Sequence, residues 1–192
     1  MACDIPPIGI DNDPCNAVAL GKQPVIIFYQ DMAGVPPAIV TAGNTDTRLS
    51  LIQAALADTG ADQLFLINNL AGGTIGAATD QTISGNDVPR GGTLLTDRDN
   101  ALTARADYLT PTVSANMDTM NARQAPVRAW WADEKNYIHG PIENARLVFG
   151  NLQAPGIGQA TSHRAVSMTW TGIPEAPFSA TPVPGLAAVT NA

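Results

Sequence analysis

Few side chains in this 192-residue chain have the type and spacing that chemistry requires. His139 and His163 are the only histidines. They fall in different candidate hairpins without H-E-x-x-H or His-rich spacing, so each reads as a strand-end or surface histidine. Asp133-Glu134 is the nearest approach to a carboxylate pair for acid–base work, but adjacent acids beside Lys135 in a turn are ordinarily solvated turn residues. Asp97 and Asp99 share one strand face, where a cation or, more simply, water would meet them. Gly72-Gly73-Thr74-Ile75-Gly76 has the composition of a phosphate loop but lacks the G-K-[ST] ending and does not clearly open a helix. No serine sits in G-x-S-x-G, and there is no N-x-[ST] acceptor. Cys3 and Cys15, with no histidine nearby, read as free thiols or as a staple on an N-terminal arm, not as a metal site. No catalytic, cofactor or metal site emerges, and the chain is expected not to be an enzyme.

Composition directs attention to association instead. Hydrophobic residues make up 45% of the chain against 14% charged, an apolar balance that suits burial against further copies. A net charge of −7 disfavours tight nucleic-acid binding, because phosphate contacts are made largely by Lys and Arg. No run approaches the roughly 18 apolar residues of a membrane span, and no basic segment leads an apolar one at the N-terminus. A soluble, unprocessed chain made in the cytosol is expected. Its length suits one well-buried domain.

The elements that would position these residues read mainly as strands. Residues 1–23, with Pro6, Pro7 and Pro14, predict an extended arm. Val25-Ile26-Ile27-Phe28-Tyr29 predicts a strand buried on both faces, and Asp31 to Pro37 a turn. Leu49, Ile52 and Leu56 give a helical stripe capped by Thr45, Asp46 or Thr47 and ended by Asp58-Thr59-Gly60. Gln63 to Ile67 is the next strand. Asn69 to Gly92 is a long polar excursion that can include short strands around Thr74-Ile75 and Gln81-Thr82-Ile83. Thr93 to Tyr108 predicts a long strand, and Val113, Met117 and Met120 a second helix with Ser114 as cap.

Val127 to Gly140 follows as an aromatic strand, a charged turn and a second strand, a hairpin. Neighbouring side chains on a strand point to opposite faces, so Trp130 and Trp131 cannot enter one core, and one ring needs a cover from a sheet, helix or neighbouring subunit. Two more strands are expected at Glu143 to Leu152 and Thr161 to Thr171. The tail from Gly172, with Pro174, Pro177, Pro182 and Pro184, should pack along a surface. The expected fold is mainly β: an antiparallel β-sandwich or barrel with one or two short flanking α-helices, a long loop and extended Pro-rich terminal arms. Its parts are the arm 1–23, the domain 24–171 with the loop 69–92, and the arm 172–192.

Three stretches, Leu49 to Asn69, Met117 to Gly140 and Ala145 to Trp170, together resemble virion structural proteins of tailed bacteriophages, the tail tube proteins in particular. The resemblance implies stacked hexameric rings in which each subunit lends strands to an inner β-barrel, while a long loop and the arms contact the next ring. Asp97 and Asp99 are then lumen candidates, and Ser84, Gly85, Asn86, Asp87, Val88, Pro89, Arg90 and Gly91 form the inter-ring loop. Trp130, Trp131 and Tyr137 anchor the sheet and subunit contacts. Partners would be copies of the chain and other tail proteins, with no membrane, no cofactor and only transient passage of DNA. An acidic lumen would let DNA pass without sticking. The location would be the virion tail, built from subunits made in the bacterial host cytoplasm. The long prolyl C-terminal tail departs from the pattern and leaves a decoration, baseplate or tail completion protein open. A reading of another class is a glycan-binding β-sandwich module in which exposed Trp130, Trp170 or Tyr137 stack on sugars.

Overall fold

A computed structural model describes residues 23–41, 44–76, 78–84, 93–153, 162–172, 179 and 181–189. Strand β1 (Pro24–Asp31) is buried on both faces, as its apolar run requires: Ile27 faces one core cluster, Ile26 and Phe28 the other. Helix α1 (Thr45–Leu56) follows, then β2 (Leu64–Ile67), β3 (Leu70–Ile75), β4 (Thr79–Ser84), β5 (Thr93–Ala106), helix α2 (Pro111–Arg123), β6 (Val127–Asp133), β7 (Ile138–Phe149) and β8 (Arg164–Thr171). All pairings are antiparallel. The strands form one sheet in the order β2-β1-β6-β7-β8-β5-β3, with β4 also on β5.

The sheet curls because two segments serve both of its halves. β7 pairs with β6 through Ala145 and with β8 from Arg146 onward. Between the pairs Trp131↔His139 and Val127↔Ala145 it twice advances three residues against two on β6, at Gly140-Pro141 and at Glu143-Asn144. Such bulges bend a strand without ending it. The predicted break before Glu143 is therefore a bend in one long strand, and the strand expected to run to Leu152 ends at Phe149. The segment of β2 and β3 likewise passes from β1 to β5, and the backbone at Gly73 lies so close to Pro24 that a Cβ there would come within 2.3 Å of its carbonyl oxygen. This approach of β3 to β1 rounds the sheet into a barrel.

One apolar cluster fills the inside, with Ile27, Leu102, Trp131, Phe149 and Met168. The second lies outside the β1–β6 half and is covered by α1, through Ile52 and Leu56, and by the C-terminal segment, through Val183, Leu186 and Val189. That segment is tied down by backbone bonds from Ser179 N to the Ile138 carbonyl (2.8 Å) and from Val183 N to the Asn136 carbonyl (2.9 Å).

Both helix caps differ from the expected ones. The side chain of Asn44, not of Thr45, Asp46 or Thr47, accepts from Thr47 N (2.7 Å) at the start of α1. Thr110, not Ser114, caps α2, because Pro111 is preorganised for the first helical position and moves the start upstream. Of the 69–92 excursion, residues 70–75 and 79–84 are strand, and residues 85–92 lie outside the described residues, as do Cys3 and Cys15.

Gly140 sits at φ +127°, and an added Cβ would lie 2.7 Å from Trp130 Cδ1 and 2.9 Å from the Ala129 carbonyl oxygen. Gly140→Ala combines a disfavoured backbone conformation with overpacking, and should cost about 2–4 kcal/mol in denaturant unfolding. An unchanged midpoint would show that Trp130 is not held as tightly as this contact implies.

Candidate assembly surfaces

The hairpin of β6 and β7 places the aromatic residues. Phe28 pairs across β1 and β6 with Trp130, and Ile27 with Trp131, so Trp130 joins the outer cluster and Trp131 the barrel interior. Both rings, and Tyr137, are buried within the subunit. The turn closes through a bond from Asn136 N to the Asp133 carbonyl (2.9 Å), with Asn136 in the left-handed region at φ 66°. Asp133 is not a solvated turn acid. Its carboxylate is fully buried and accepts from Lys135 N (2.9 Å) and Tyr137 N (3.0 Å), standing in for backbone partners inside the turn. His139 is not a surface residue either: its ring is buried, stacked on Trp131 with centroids 3.7 Å apart, and Nε2 lies 3.7 Å from Asp133 Oδ2. His163 is half-buried and bridges to Gln153 through mutual backbone bonds.

Asp97 and Asp99 lie on the outward face of β5, opposite the side that buries Leu102, Ala104 and Ala106. Gln81 donates to Asp99 Oδ2 (2.8 Å), and Asp97 Oδ1 accepts from Arg98 N (2.8 Å). The same face continues over Thr103 of β5, Ser167, Thr169 and Thr171 of β8, and Arg146 and Val148 of β7. Arg105 on this face pairs with Asp107 (2.9 Å). Asp97 and Asp99 against Arg146 leave the strip weakly acidic. Among the described residues neither helix nor the C-terminal segment covers it.

Beyond the barrel, residues 93–98 of β5 pair only with β4, and this hairpin projects with Ile83 and Leu95 exposed. Ser84 ends β4 opposite Thr93, and Gly85 to Gly91 lie outside the described residues.

Three buried arginines, which sequence reasoning did not single out, hold peripheral elements, and the first, Arg48 of α1, donates to the Thr181 carbonyl (3.1 Å) and hydroxyl (2.9 Å) of the C-terminal segment. Arg164 on β8 makes a two-pronged ion pair with Asp118 (2.6 and 3.0 Å) and donates to Ser114 Oγ (2.7 Å), fastening α2. Ser114 is thus a buried acceptor rather than a cap. Arg128 on β6 meets Glu143 (2.7 Å), the Gln30 side-chain oxygen (3.2 Å) and the Gly34 carbonyl (2.7 Å). A charged residue inside an apolar strand was the available signal, since a buried arginine must find partners.

Between α2 and the β1–β2 pair lies a cleft of about 350 Å³ walled by Tyr29, Phe65, Met117, Met120 and Phe149, with Tyr108 at its rim. Tyr29 and Phe65 stack at 5.3 Å, and burial pushes the Tyr29 hydroxyl above its ordinary pKa.

Trp130 and Tyr137 were expected to be exposed under the glycan reading. Burial leaves them no open ring for a sugar, and Trp170 is partly committed to the barrel core.

No protein-family model matches the chain, and no curated protein matches it. Among solved structures it is similar, over 62% of its length, to 87% of a chain in the tail of an empty GTA particle with C6 symmetry, at 10% identity and a TM-score of 0.37. It is similar over 82% of its length to 97% of a chain in the 6-fold symmetrised baseplate of the anti-feeding prophage, at 11% identity and a TM-score of 0.35. These are distant likenesses to tail and baseplate components.

The hydrogen bonds from Arg164, and then its charge, hold the Asp118 carboxyl below its usual range despite some opposing desolvation. A lowered folded pKa means that the pair's contribution is complete above the unfolded value of about 3.9 and is lost as pH falls through the folded one. Asp118→Asn should remove that part of the acid-side decline in stability, read from urea unfolding at a series of pH values. An acid limb identical to that of the wild type would detach Asp118 from the stability of α2.

Proposed function

We propose that this protein is a structural subunit without enzymatic activity that self-assembles into stacked rings, as a tail tube component of a phage-like particle. The observation that carries the reading is the asymmetry of the barrel. One outer face is sealed by α1 and the C-terminal segment, whereas the opposite face is a hydroxyl-rich strip, uncovered among the described residues, beside a projecting hairpin with exposed Ile83 and Leu95. An uncovered strand edge carrying apolar side chains is a template for pairing with another chain.

In this reading the β4–β5 hairpin joins neighbours within a ring. The strip bearing Asp97 and Asp99 lines the lumen, where a weakly acidic surface gives passing DNA no cationic trap. The segment from Ser84 to Gly91 contacts the next ring. The ring number of six comes from the sequence resemblance to tail tube proteins, as does the location in a virion tail assembled from subunits made in the bacterial cytoplasm. Trp130, Trp131 and Tyr137 act inside the subunit, Trp130 under α1 and Trp131 in the barrel interior against β5.

Negative-stain microscopy and sizing of the purified chain test this reading. Rings or tubes are expected, and a monomer at every concentration would overturn it. Leu95→Asp should leave circular dichroism unchanged and abolish rings. Deleting Ser84 to Gly91 should leave a folded subunit that no longer stacks, and normal tubes from that deletion would remove the segment from the mechanism.

A further inference from the structure

The outward strip of the barrel has two unlike borders. Across it the strands run β7, β8, β5 and β4, so β7 stands at one border and the β4–β5 hairpin at the other. At the β7 border, β6 stops pairing at Ala145, and α2 takes up the freed edge at Phe149, where the Asn121 side chain accepts from the backbone N (2.9 Å) and donates to the carbonyl (2.7 Å). Alternate residues of a strand turn their backbone groups to the same side, so Leu147 presents its own to the gap between. That gap is a groove of about 260 Å³ lined by Asn121, Gln124, Ala125, Arg146, Leu147 and Val148. Val148 is 55% exposed, and Arg146, also exposed, has no acidic partner among the described residues. The neighbouring acids are already engaged, Glu143 with Arg128 and Asp118 with Arg164. Arg123, one residue before Gln124 in the last turn of α2, adds a second positive charge to this border.

At the opposite border β4 pairs only with β5, and its other edge is open among the described residues. Asp97 and Asp99 face outward opposite Gln81 and Thr79, and alternation along β4 puts Ile83 on that same face. The outward surface of the hairpin thus carries an exposed isoleucine two residues from the Gln81–Asp97 pair. Asp80 is paired with Arg98 (2.8 Å), whereas neither Asp97 nor Asp99 meets a cation among the described residues. Nor can Asp97 reach Arg146 of its own subunit. Through Thr169 and Ala101 it lies two strands across and four residues along, about 16 Å between Cα atoms at ordinary sheet spacings.

We infer that Ile83 and Asp97 of one copy meet Val148 and Arg146 of a second copy, with the open edge of β4 lying along the β7 border. The inference rests on the self-assembly reading and names the surface that receives the hairpin. An exposed isoleucine meets an exposed valine beside a groove, and a carboxylate without a cation meets a guanidinium without an acid. In a chain of net charge −7, copies repel unless opposite charges are placed locally, and such a pair fixes which borders come together. The two borders are different patches of one surface, so the contact is head-to-tail, the kind that closes a ring.

Sedimentation of the full-length chain over a concentration series tests it, with circular dichroism and urea unfolding to follow the fold. Arg146→Asp and Asp97→Arg each place like charges at the contact and should each weaken association by at least about tenfold. The double variant carrying both changes restores opposite charges and should associate more tightly than either single variant. Should a reversal disturb folding, Arg146→Gln and Asp97→Asn read the same contact without a reversed charge. A wild-type chain that assembles while the single variants assemble equally well overturns the contact and leaves the self-assembly reading standing. So does a double variant no tighter than the single ones. A wild-type chain that stays monomeric overturns both.

Discussion

Strand β6 is buried along its whole length, and the rest of the fold follows from that constraint. A strand with Trp130 on one face and Trp131 on the other needs two apolar layers, and the chain supplies both. The barrel interior closes over Trp131 by bending β7 and bringing β3 back to β1. Helix α1 and the C-terminal segment close over Trp130. Large rings carry much of the apolar area a domain buries, so these two positions organise both clusters. Gly140 shows how tightly: the backbone passes so near the Trp130 ring that no side chain fits between them.

Polar groups inside this apolar frame serve geometry more than net stability. A buried arginine loses hydration that its partners repay only when every contact is well formed. Arg164 is held at its two terminal nitrogens by Asp118 and Ser114 while its Nε is left without a hydrogen-bond partner, and it fixes a helix that buries only Ser114 and Met117 of its own. Arg128 and Gln30 are satisfied through the carbonyls of Gly34, Val35 and Asp62, so that the core adds to the local turn at Asp31 in setting the shape of the loop after β1. The aromatic hairpin uses the same device at Asp133. There a carboxylate serves as the internal acceptor of a turn, and a histidine packs flat on Trp131 beside it.

Among the described residues, covering is one-sided. The chain spends α1 and its C-terminal segment on the β1–β6 half and leaves the β5–β8 half with threonine, serine and aspartate facing outward. A hydroxyl-rich sheet face is stable against water, whereas an apolar hairpin extending past it is not. The two features belong together in the self-assembling subunit we propose.

Local patterns determined what periodicity can express. The apolar run at Val25 to Tyr29, the stripe of Leu49, Ile52 and Leu56, the opposed tryptophans and the mainly antiparallel class are properties of neighbours a few residues apart, and they carry directly into the structure. The bend in β7 was not legible, because a bulge is defined by the partner strand's count as much as by its own residues. Ser114, inside α2 once Pro111 starts the helix, is claimed by Arg164, 50 positions away, and the loop after β1 is held by Arg128, 94 positions from Gly34. Burial of Asp133 and His139 likewise depended on what the barrel packs around the turn. Sequence by itself determined which elements form and which faces they must bury. Tertiary structure alone decided which polar residues went inside and which face α1 and the C-terminal segment cover, because those outcomes depend on contacts between residues that no local spacing brings together.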